Sequence, residues 1–192
     1  MSLNEQIKKL VEEQEQYIID CRHKLHAIPE VCSKEVKTKA FLMEEIKKSG
    51  LPYEEVPTNS IIVKLDTGRP GKVVALRADI DGLPVKESEE NLAGPRVCRS
   101  EHDGYCHACG HDAHMSMLLG ALKVLPQLKD QLNGTILFCF EEGEEQGTGI
   151  KALLAALDKY NVDVCWGIHV YAELEEGKMS VDAGPRMASA IG

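Results

Sequence analysis

The chain has 192 residues, of which 43% are apolar and 28% charged, and its formal net charge is −9. This composition is typical of a globular protein and excludes a disordered chain, while the excess of carboxylates disfavours binding to nucleic acid. The sequence has no apolar run near the ~18 residues that span a membrane, and no apolar segment at its start suited to a signal peptide. Seven unevenly spaced cysteines favour reduced thiols. We therefore expect a cytoplasmic protein with neither nucleic-acid nor membrane partners.

Two amphipathic helices are predicted at the start of the chain. Apolar residues recur every three or four positions over residues 4–26, and this helix is expected to stop near Pro29. A second helix is predicted over residues 33–49, with Ser33 as its N-cap and Gly50 as its C-terminal stop.

The remainder of the chain alternates between strands and helices. Two β-rich runs, residues 61–65 and 73–78, flank a Gly- and Pro-rich segment and are predicted to form a hairpin. The other predicted elements are a loop over 86–106, a buried helix over 112–128 that Pro126 kinks or ends, buried strands over 135–140 and 162–168, a helix over 148–159, and a short strand over 178–181. This order predicts a three-layer αβα fold of the α/β class, with a central, largely parallel or mixed sheet.

Potential metal ligands follow three of the predicted strands. Asp79-Ile80-Asp81 follows one run, the acidic residues 141–145 follow another, and His169 follows a third, while the segment 107–114 precedes the buried helix. Because ligands bind outside the carboxyl ends of strands in open α/β sheets, we expect these side chains to meet at one edge.

Each of these features alone has an ordinary structural explanation. A single histidine at a strand end is usually a hydrogen-bonded structural residue, and an acidic run is usually a solvated loop. The run 141–145, however, directly follows an apolar strand, and a cation would relieve the repulsion among its carboxylates. Gly110 allows a tight turn between Cys109 and His111, and the helix start is expected to lower the pKa of the Cys109 thiol. Taken together, the features favour a metal site.

The mixture of donor types indicates the metal and the chemistry. Thiol, imidazole and carboxylate donors suit a borderline divalent ion such as Zn²⁺ or Mn²⁺. Of two adjacent glutamates, one can bind the metal while the other accepts a proton from the attacking water. This division of roles predicts a hydrolase.

Four motifs occur in order along the chain. They are Arg-x-Asp-x-Asp-x-Leu-Pro at 77–84, His-Ala-Cys-Gly-His-Asp-Ala-His at 107–114, a double Glu after a strand, and Gly-Ile-His at 167–169. Together they resemble the metal-dependent amidohydrolases that cleave N-acyl amino acids, a family that includes hippurate hydrolases, N-acetyl-amino-acid deacetylases and auxin-conjugate hydrolases. The segment from His26 to Glu30, with Glu35 after it, resembles the N-terminal signature of that family.

The resemblance implies a site and a reaction. It implies two divalent metal ions, Zn or Mn with Ni or Co as alternatives, bound by Cys109, His111, Glu145 and His169, with Cys109 bridging the ions. Glu144 would be the general base that activates water for hydrolysis of the amide bond in a small N-acetyl, N-benzoyl or similar amino acid. Asp79 would orient a ligand, and His114 would either lie near the site or pack on the buried helix.

Two departures from the family pattern leave alternatives open. Glu141-Glu142-Gly143 replaces the usual Gln-Pro-Ala, so two Glu pairs compete, and counting from Gly134 favours Glu144 and Glu145. The loop before the second motif adds two cysteines. A binding or structural protein of the same fold, with a tetrahedral zinc site formed by Cys98, Cys106, Cys109 and His111, is therefore the alternative.

Family members are also longer than this chain. The resemblance implies that residues 1–192 are the N-terminal part of the catalytic domain. A lid domain with dimer contacts would follow a segment like 184–188, and a C-terminal catalytic segment would then supply a last His ligand. We therefore expect the lid and the C-terminal segment to be missing, a homo-oligomer for the full-length protein, and weak or no turnover by these 192 residues alone.

Overall fold

The fold is seen in a computed structural model that describes residues 1–181. The helices are α1 (Leu3–Glu13), α2 (Glu15–Ala27), α3 (Val36–Ser49), α4 (His111–Val124) and α5 (Ile150–Leu157). The strands are β1 (Tyr53–Glu55), β2 (Ile61–Asp66), β3 (Val73–Asp79), β4 (Glu90–Asn91), β5 (Gly94–Pro95), β6 (Thr135–Glu141) and β7 (Val164–Gly167). The segment 184–188, predicted to precede a lid, lies outside the described residues.

Five strands form a mixed central sheet in the order β1-β2-β6-β3-β7. The pairs β1/β2 and β2/β6 are antiparallel, whereas β6/β3 and β3/β7 are parallel. The carboxyl ends of β3, β6 and β7 therefore lie at the same edge of the sheet.

Alternating side chains of β6 divide the core into two layers. Phe138 and Phe140 pack with apolar residues of α2, α3 and α4 on one face. Leu137 and Cys139 point to the other face and pack with Leu153 of α5. The predicted three-layer αβα architecture is confirmed, and α4 is buried as its uniformly apolar sequence indicates.

The predicted hairpin is wrong, because β2 and β3 do not pair with each other. Strand β6 lies between them, antiparallel to β2 and parallel to β3. The connection over 67–72 passes the start of β6, where the backbone N–H of Gly134 donates to the carbonyl of Arg69 at 3.0 Å. This connection is long enough to cross two strand spacings of roughly 10 Å in total. The central position buries the apolar side chains of β6 on both faces.

The N-terminal helices differ from their predicted bounds. The helix predicted over 4–26 is divided at Gln14 into α1 and α2. Ser33 is not an N-cap: its φ of 61° is left-handed, and α3 begins only at Val36. The carboxylate of Glu30 instead accepts from the backbone N–H of Thr38 at 2.8 Å, in the first turn of α3.

Later elements match the predictions in part. Helix α4 ends at Val124 and a 3₁₀ helix with Pro126 in its first turn follows, as Pro126 predicts. The loop over 86–106 contains only the two-residue strands β4 and β5. Strand β7 was predicted to be buried, but all four of its residues are exposed at the sheet edge. Residues 178–181 form no strand. Within residues 1–181, none of the helices is both long and apolar enough to span a membrane.

Candidate metal centre

The parallel strands bring the predicted donors to one edge of the sheet. Strand β3 ends at Asp79, β6 ends at Glu141 shortly before Glu144 and Glu145, and β7 ends two residues before His169. Helix α4 begins at His111 at this edge. The donor atoms form three groups, and within each group they lie within 4.8 Å of one another. The groups are Cys109 with His111 and His169, Asp79 with His111 and His114, and His111 with Glu144 and Glu145.

His111 lies at the centre of this cluster and is fully buried. Its Nδ1 is 3.2 Å from Oδ1 of Asp81, so in the neutral ring that would bind a metal we assign the proton to Nδ1. Among residues 1–181, Nε2 has no hydrogen-bond partner. It instead lies 3.7 Å from a carboxylate oxygen of Glu145 and 3.8 Å from one of Glu144. A buried nitrogen lone pair that faces carboxylates beyond hydrogen-bond distance is well placed for a shared cation.

Cys109 and His169 form the second part of the cluster. The thiol Sγ lies 3.3 Å from Nε2 of His169, and Nδ1 of the same ring lies 2.6 Å from the carbonyl of Val170. Because a carbonyl only accepts, Nδ1 carries the proton and Nε2 presents its lone pair towards Cys109. This pairing of one ring nitrogen with a backbone carbonyl is common in metal-binding histidines.

His114 uses both ring nitrogens within the protein. Its Nδ1 lies 2.6 Å from Oδ1 of Asp79, and its Nε2 accepts from the backbone N–H of Val170 at 3.0 Å. Asp79 is also paired with Arg77 at 2.8 Å. Burial raises the pKa of Asp79, but the hydrogen bond from His114 and the charges of His111 and Arg77 outweigh it and bring the pKa to about 2. His114 therefore lies near the cluster, which is one of the two positions predicted for it.

The structure distinguishes the two competing Glu pairs by their partners. Glu141 is paired with Nε of Arg77 at 2.6 Å. Glu142 is buried and accepts from the backbone N–H of Asn59 at 2.7 Å and from the hydroxyl of Thr58. Both carboxylates are therefore engaged elsewhere, whereas Glu144 and Glu145 face His111.

The thiol and carboxylates of the cluster disfavour each other's ionisation. Burial, followed by the charge of Glu145, raises the pKa of Cys109 to about 12, so the expected lowering at the helix start is wrong for the metal-free protein. Burial, followed by the charge of Asp79, raises the pKa of Glu144. A divalent cation would relieve this mutual repulsion among the acidic donors. The donor set fits such a cation in type and arrangement.

Two residues that hold this cluster in place were assigned no role from the sequence. The carboxylate of Asp81 accepts from the backbone N–H groups of Glu144 at 3.2 Å and Glu145 at 3.1 Å while it contacts His111. Glu35 accepts from the backbone N–H of Gly143 at 2.9 Å. The Asp-x-Asp motif and the position of Glu35 after the N-terminal signature were the available signals.

The structure does not assemble the alternative cysteine site. Within residues 1–181, neither Cys98 nor Cys106 belongs to a group of potential metal ligands. The Cys98 thiol donates to the carbonyl of His23 at 3.2 Å, and the backbone of Cys106 pairs with that of Leu83. A tetrahedral site that joins these cysteines with Cys109 and His111 is therefore not favoured.

The fold and the donor set define a three-layer α/β protein with metal-type ligands at the carboxyl ends of parallel strands. The family model described as peptidase family M20/M25/M40 matches residues 75–185, which is more than half of the sequence. The chain belongs to this family, and the resemblance seen in the sequence is confirmed.

Individual relatives support this assignment. The N-acyl-L-amino acid amidohydrolase of Geobacillus stearothermophilus is 40% identical over 187 residues, which are 96% of this chain and 49% of that protein. The IAA-amino acid hydrolase ILR1-like 4 of Arabidopsis thaliana is 36% identical over 90% of this chain and 38% of its own length. The structure of the Bacillus subtilis YXEP protein, described as a dinuclear metal binding peptidase from the M20 family, has a TM-score of 0.82 and 32% identity over 91% of this chain and 48% of that one. The chain thus spans about half the length of such relatives or less.

Proposed function

We propose that this chain carries the metal-binding part of an amidohydrolase that cleaves the amide bond of N-acyl amino acids, such as N-acetyl or N-benzoyl conjugates. The observation that carries the proposal is the convergence of Glu144 and Glu145 on the unpartnered Nε2 of His111. The names of the relatives, an N-acyl-L-amino acid amidohydrolase and an IAA-amino acid hydrolase, support the substrate class.

In this proposal two divalent ions are bound by Cys109, His111, Glu145 and His169. The mixed donor set favours Zn²⁺ or Mn²⁺, and Ni²⁺ or Co²⁺ would also suit it. Bound ions would polarise the scissile carbonyl and acidify the attacking water. The description of the Bacillus subtilis protein as dinuclear supports the number of ions.

Glu144 is the proposed general base. Its carboxylate would take a proton from the attacking water and return it to the leaving amine. The raised pKa of Glu144 brings this carboxyl closer to the range in which it can both accept and release a proton. Asp79 and Asp81 act as positioning residues, since Asp79 lies beside His111 and Asp81 contacts both His111 and the backbone of the glutamate pair. His114 acts in the same way through its hydrogen bonds with Asp79 and the backbone N–H of Val170.

The proposal extends to the organisation of the protein. Residues 1–192 would be the N-terminal part of a catalytic domain, because the relatives are about twice as long. The full-length protein is proposed to be a homo-oligomer, and a cytoplasmic location agrees with seven cysteines that are all free in the structure.

The test is the metal content per chain of protein purified without chelator, measured by mass spectrometry. Wild type is compared with Glu145→Ala and His169→Ala, and both variants are expected to lose metal. In the full-length protein, Glu144→Gln is expected to keep metal but to slow the hydrolysis of N-acetyl and N-benzoyl amino acids by about 10²–10⁴-fold, the loss for a general base.

Two controls make the result specific. Glu89→Ala removes an exposed carboxylate outside the cluster, and Cys98→Ser removes a thiol of the alternative site. Both are expected to keep the wild-type metal content. If Glu145→Ala and His169→Ala retained metal while Cys98→Ser lost it, the catalytic assignment would be abandoned.

A further inference from the structure

A cavity of about 510 Å³ lies beside the candidate metal centre. Its wall includes Arg22, Arg96, His107 and Val170. None of the proposed metal ligands, nor Glu144, is among the described residues that line it. The cavity is therefore a separate space that adjoins the centre.

His107 on the wall of this cavity is a buried imidazole without a partner. The residue is 5% exposed, and neither Nδ1 nor Nε2 has a hydrogen-bond partner in the part of the chain that the structure describes. The other imidazole on the wall, His26, is partnered at both nitrogens. Burying a polar group without a hydrogen bond is unfavourable, and buried polar groups normally have partners. A neutral ring offers one donor and one acceptor to a molecule in the cavity.

The charged groups around the cavity leave an excess of positive charge. The wall carries two carboxylates, and both already have partners. Asp112 lies 2.8 Å from His26 and 3.2 Å from Arg22. Glu87 lies 2.7 Å from His26 and accepts from the backbone N–H of Ser100 at 2.6 Å. Both ring nitrogens of His26 face these carboxylates, so this ring is an imidazolium. Against two negative charges the wall therefore has His26, Arg22, Arg96 and Lys86.

The guanidinium groups retain hydrogen-bonding capacity. A guanidinium has five N–H donors. Within residues 1–181, Arg22 contacts a carboxylate only through Nε, with Asp112. In the same part of the chain, Arg96 donates from Nε to the carbonyl of Ser88 at 2.9 Å and contacts Glu87 through one terminal nitrogen at 3.5 Å, which leaves its other terminal nitrogen free. The remaining donors suit a planar anion such as a carboxylate, which a guanidinium binds in a bidentate manner.

Two residues of the cavity wall, Gly110 and Val170, are sequence neighbours of proposed metal ligands. Gly110 lies between Cys109 and His111, and a Cβ at Gly110 would collide with the side chain of Val170. Val170 follows His169, and its backbone N–H donates to His114 at 3.0 Å. A molecule in the cavity is thus one residue away from three proposed ligands.

We propose that this cavity binds an organic carboxylate, with His107 donating a hydrogen bond and Arg22 and Arg96 supplying positive charge. The inference rests on the proposed function only for the source of the carboxylate, which is a product of amide hydrolysis. The acid from the acyl group and the released amino acid share this chemistry.

The test is an NMR titration of the chain, made metal-free with a chelator that is then removed by dialysis, using benzoate as the probe. Saturable shifts are expected at the amides of Ala108 and Ala113 and at the His107 ring. Benzamide, the neutral analogue, is expected to bind about tenfold more weakly or worse, the loss for a hydrogen bond to a charged group. Alanine as a second probe distinguishes the sources, because tighter binding of alanine assigns the site to the amino acid product.

Matched variants localise the binding. Arg96→Gln is expected to weaken benzoate binding about tenfold, whereas Arg99→Gln, whose guanidinium pairs with Glu89 and does not line the cavity, should leave it unchanged. His107→Leu removes an unpartnered polar group, so it is expected to fold and to bind benzoate about tenfold more weakly.

Several outcomes would overturn the inference. They are equal binding of benzamide and benzoate, unchanged affinity in both Arg96→Gln and His107→Leu, no saturable shift with either carboxylate, and shifts confined to His111 and His169. Because the metal-free chain is used, these results do not depend on the metal content that tests the proposed function.

Discussion

The carboxylate of Asp81 joins His111 to the glutamate loop. Its Oδ1 lies 3.2 Å from Nδ1 of His111 and accepts from the backbone N–H of Glu144, while Oδ2 accepts from the backbone N–H of Glu145. One fully buried carboxylate therefore orients an imidazole and fixes the loop opposite it. The relative position of the proposed ligands His111 and Glu145 depends on this residue.

Replacing Asp81 should disturb both the orientation of His111 and the position of the glutamate loop while the fold is kept. Asp81→Asn substitutes an amide NH₂ for one oxygen, so one backbone N–H of the loop loses its acceptor. We expect a loss of about 1–3 kcal/mol in the free energy of unfolding and a 10–100-fold loss in zinc affinity, typical of residues that orient metal ligands. Urea denaturation and competition with a chromophoric chelator measure the two effects.

Asp103→Asn is the matched control, because the Asp103 side chain is 93% exposed and its ion pair with Lys86 is long, at 4.0 Å. It should change neither quantity appreciably. Wild-type zinc affinity in Asp81→Asn would show that Asp81 does not position the ligands.

A collision at Gly110 should disturb the ligands on either side of it. Gly110 has a φ of 92°, and an added Cβ would meet the side chain of Val170, next to His169. Gly110→Ala is therefore expected to lower the stability by about 1–2 kcal/mol through backbone strain and, in addition, to lower metal content.

Gly104→Ala separates strain from collision. Gly104 has a similar φ of 82°, but a Cβ there would meet nothing within 4 Å. This variant should show the strain alone and keep the wild-type metal content. Equal metal content in the two variants, measured by mass spectrometry, would mean that the collision with Val170 does not disturb the centre.

The sequence predicts the elements whose signals are local. Strands β3 and β6 and helix α4 are long apolar runs, so their types are correctly predicted from residue pattern alone. Strand β6 pairs between β2 and β3 because of contacts with residues that are distant in the sequence. The turn residues between β2 and β3 do not indicate this pairing. The exposure of β7 likewise depends on its place in the sheet rather than on its apolar sequence.

The candidate site shows the same division. Cys109, His111, Glu145 and His169 could be predicted because each is a metal-type residue at a strand end or helix start. Asp81 and Glu35 act through partners that are 30 and 108 residues away in the chain, so nothing near them in the sequence indicates those contacts. Only the folded chain shows which carboxylates support the donors.

The buried His26 should make stability depend on pH. The hydrogen bond to Asp112 raises the pKa of His26 above its usual 6.5, against the effect of burial and with help from Glu87. A raised histidine pKa contributes stability that is fully present below the unfolded value and is lost as pH rises through the folded value. The urea midpoint of the metal-free chain is therefore expected to fall as pH rises above about 6.5.

Substitution of His26 tests this assignment. His26→Gln removes the cation that Asp112 and Glu87 share and leaves them Arg22 and Arg96 as partners. It should cost about 1–3 kcal/mol at pH 6, with a flatter pH dependence than wild type. His23→Gln, on the same helix, removes an imidazole with no carboxylate partner among residues 1–181 and should keep the wild-type slope. An unchanged slope in His26→Gln would assign the pH dependence to another group.

Glu35 should anchor the glutamate loop from the start of α3. Its fully buried carboxylate accepts from the backbone N–H of Gly143 at 2.9 Å and from the side chain of Asn59 at 3.1 Å, and burial raises its pKa. A raised carboxyl pKa means that stability falls as pH rises from 4.5 through the folded value, and Glu35→Gln should remove that slope. Because glutamine can still accept from Gly143, this variant should keep its zinc affinity, whereas Glu35→Ala should lose about 1–3 kcal/mol of stability and about tenfold in zinc affinity. Chelator competition and urea denaturation of both variants give the answer, and equal zinc binding by the two would show that the loop is held without Glu35.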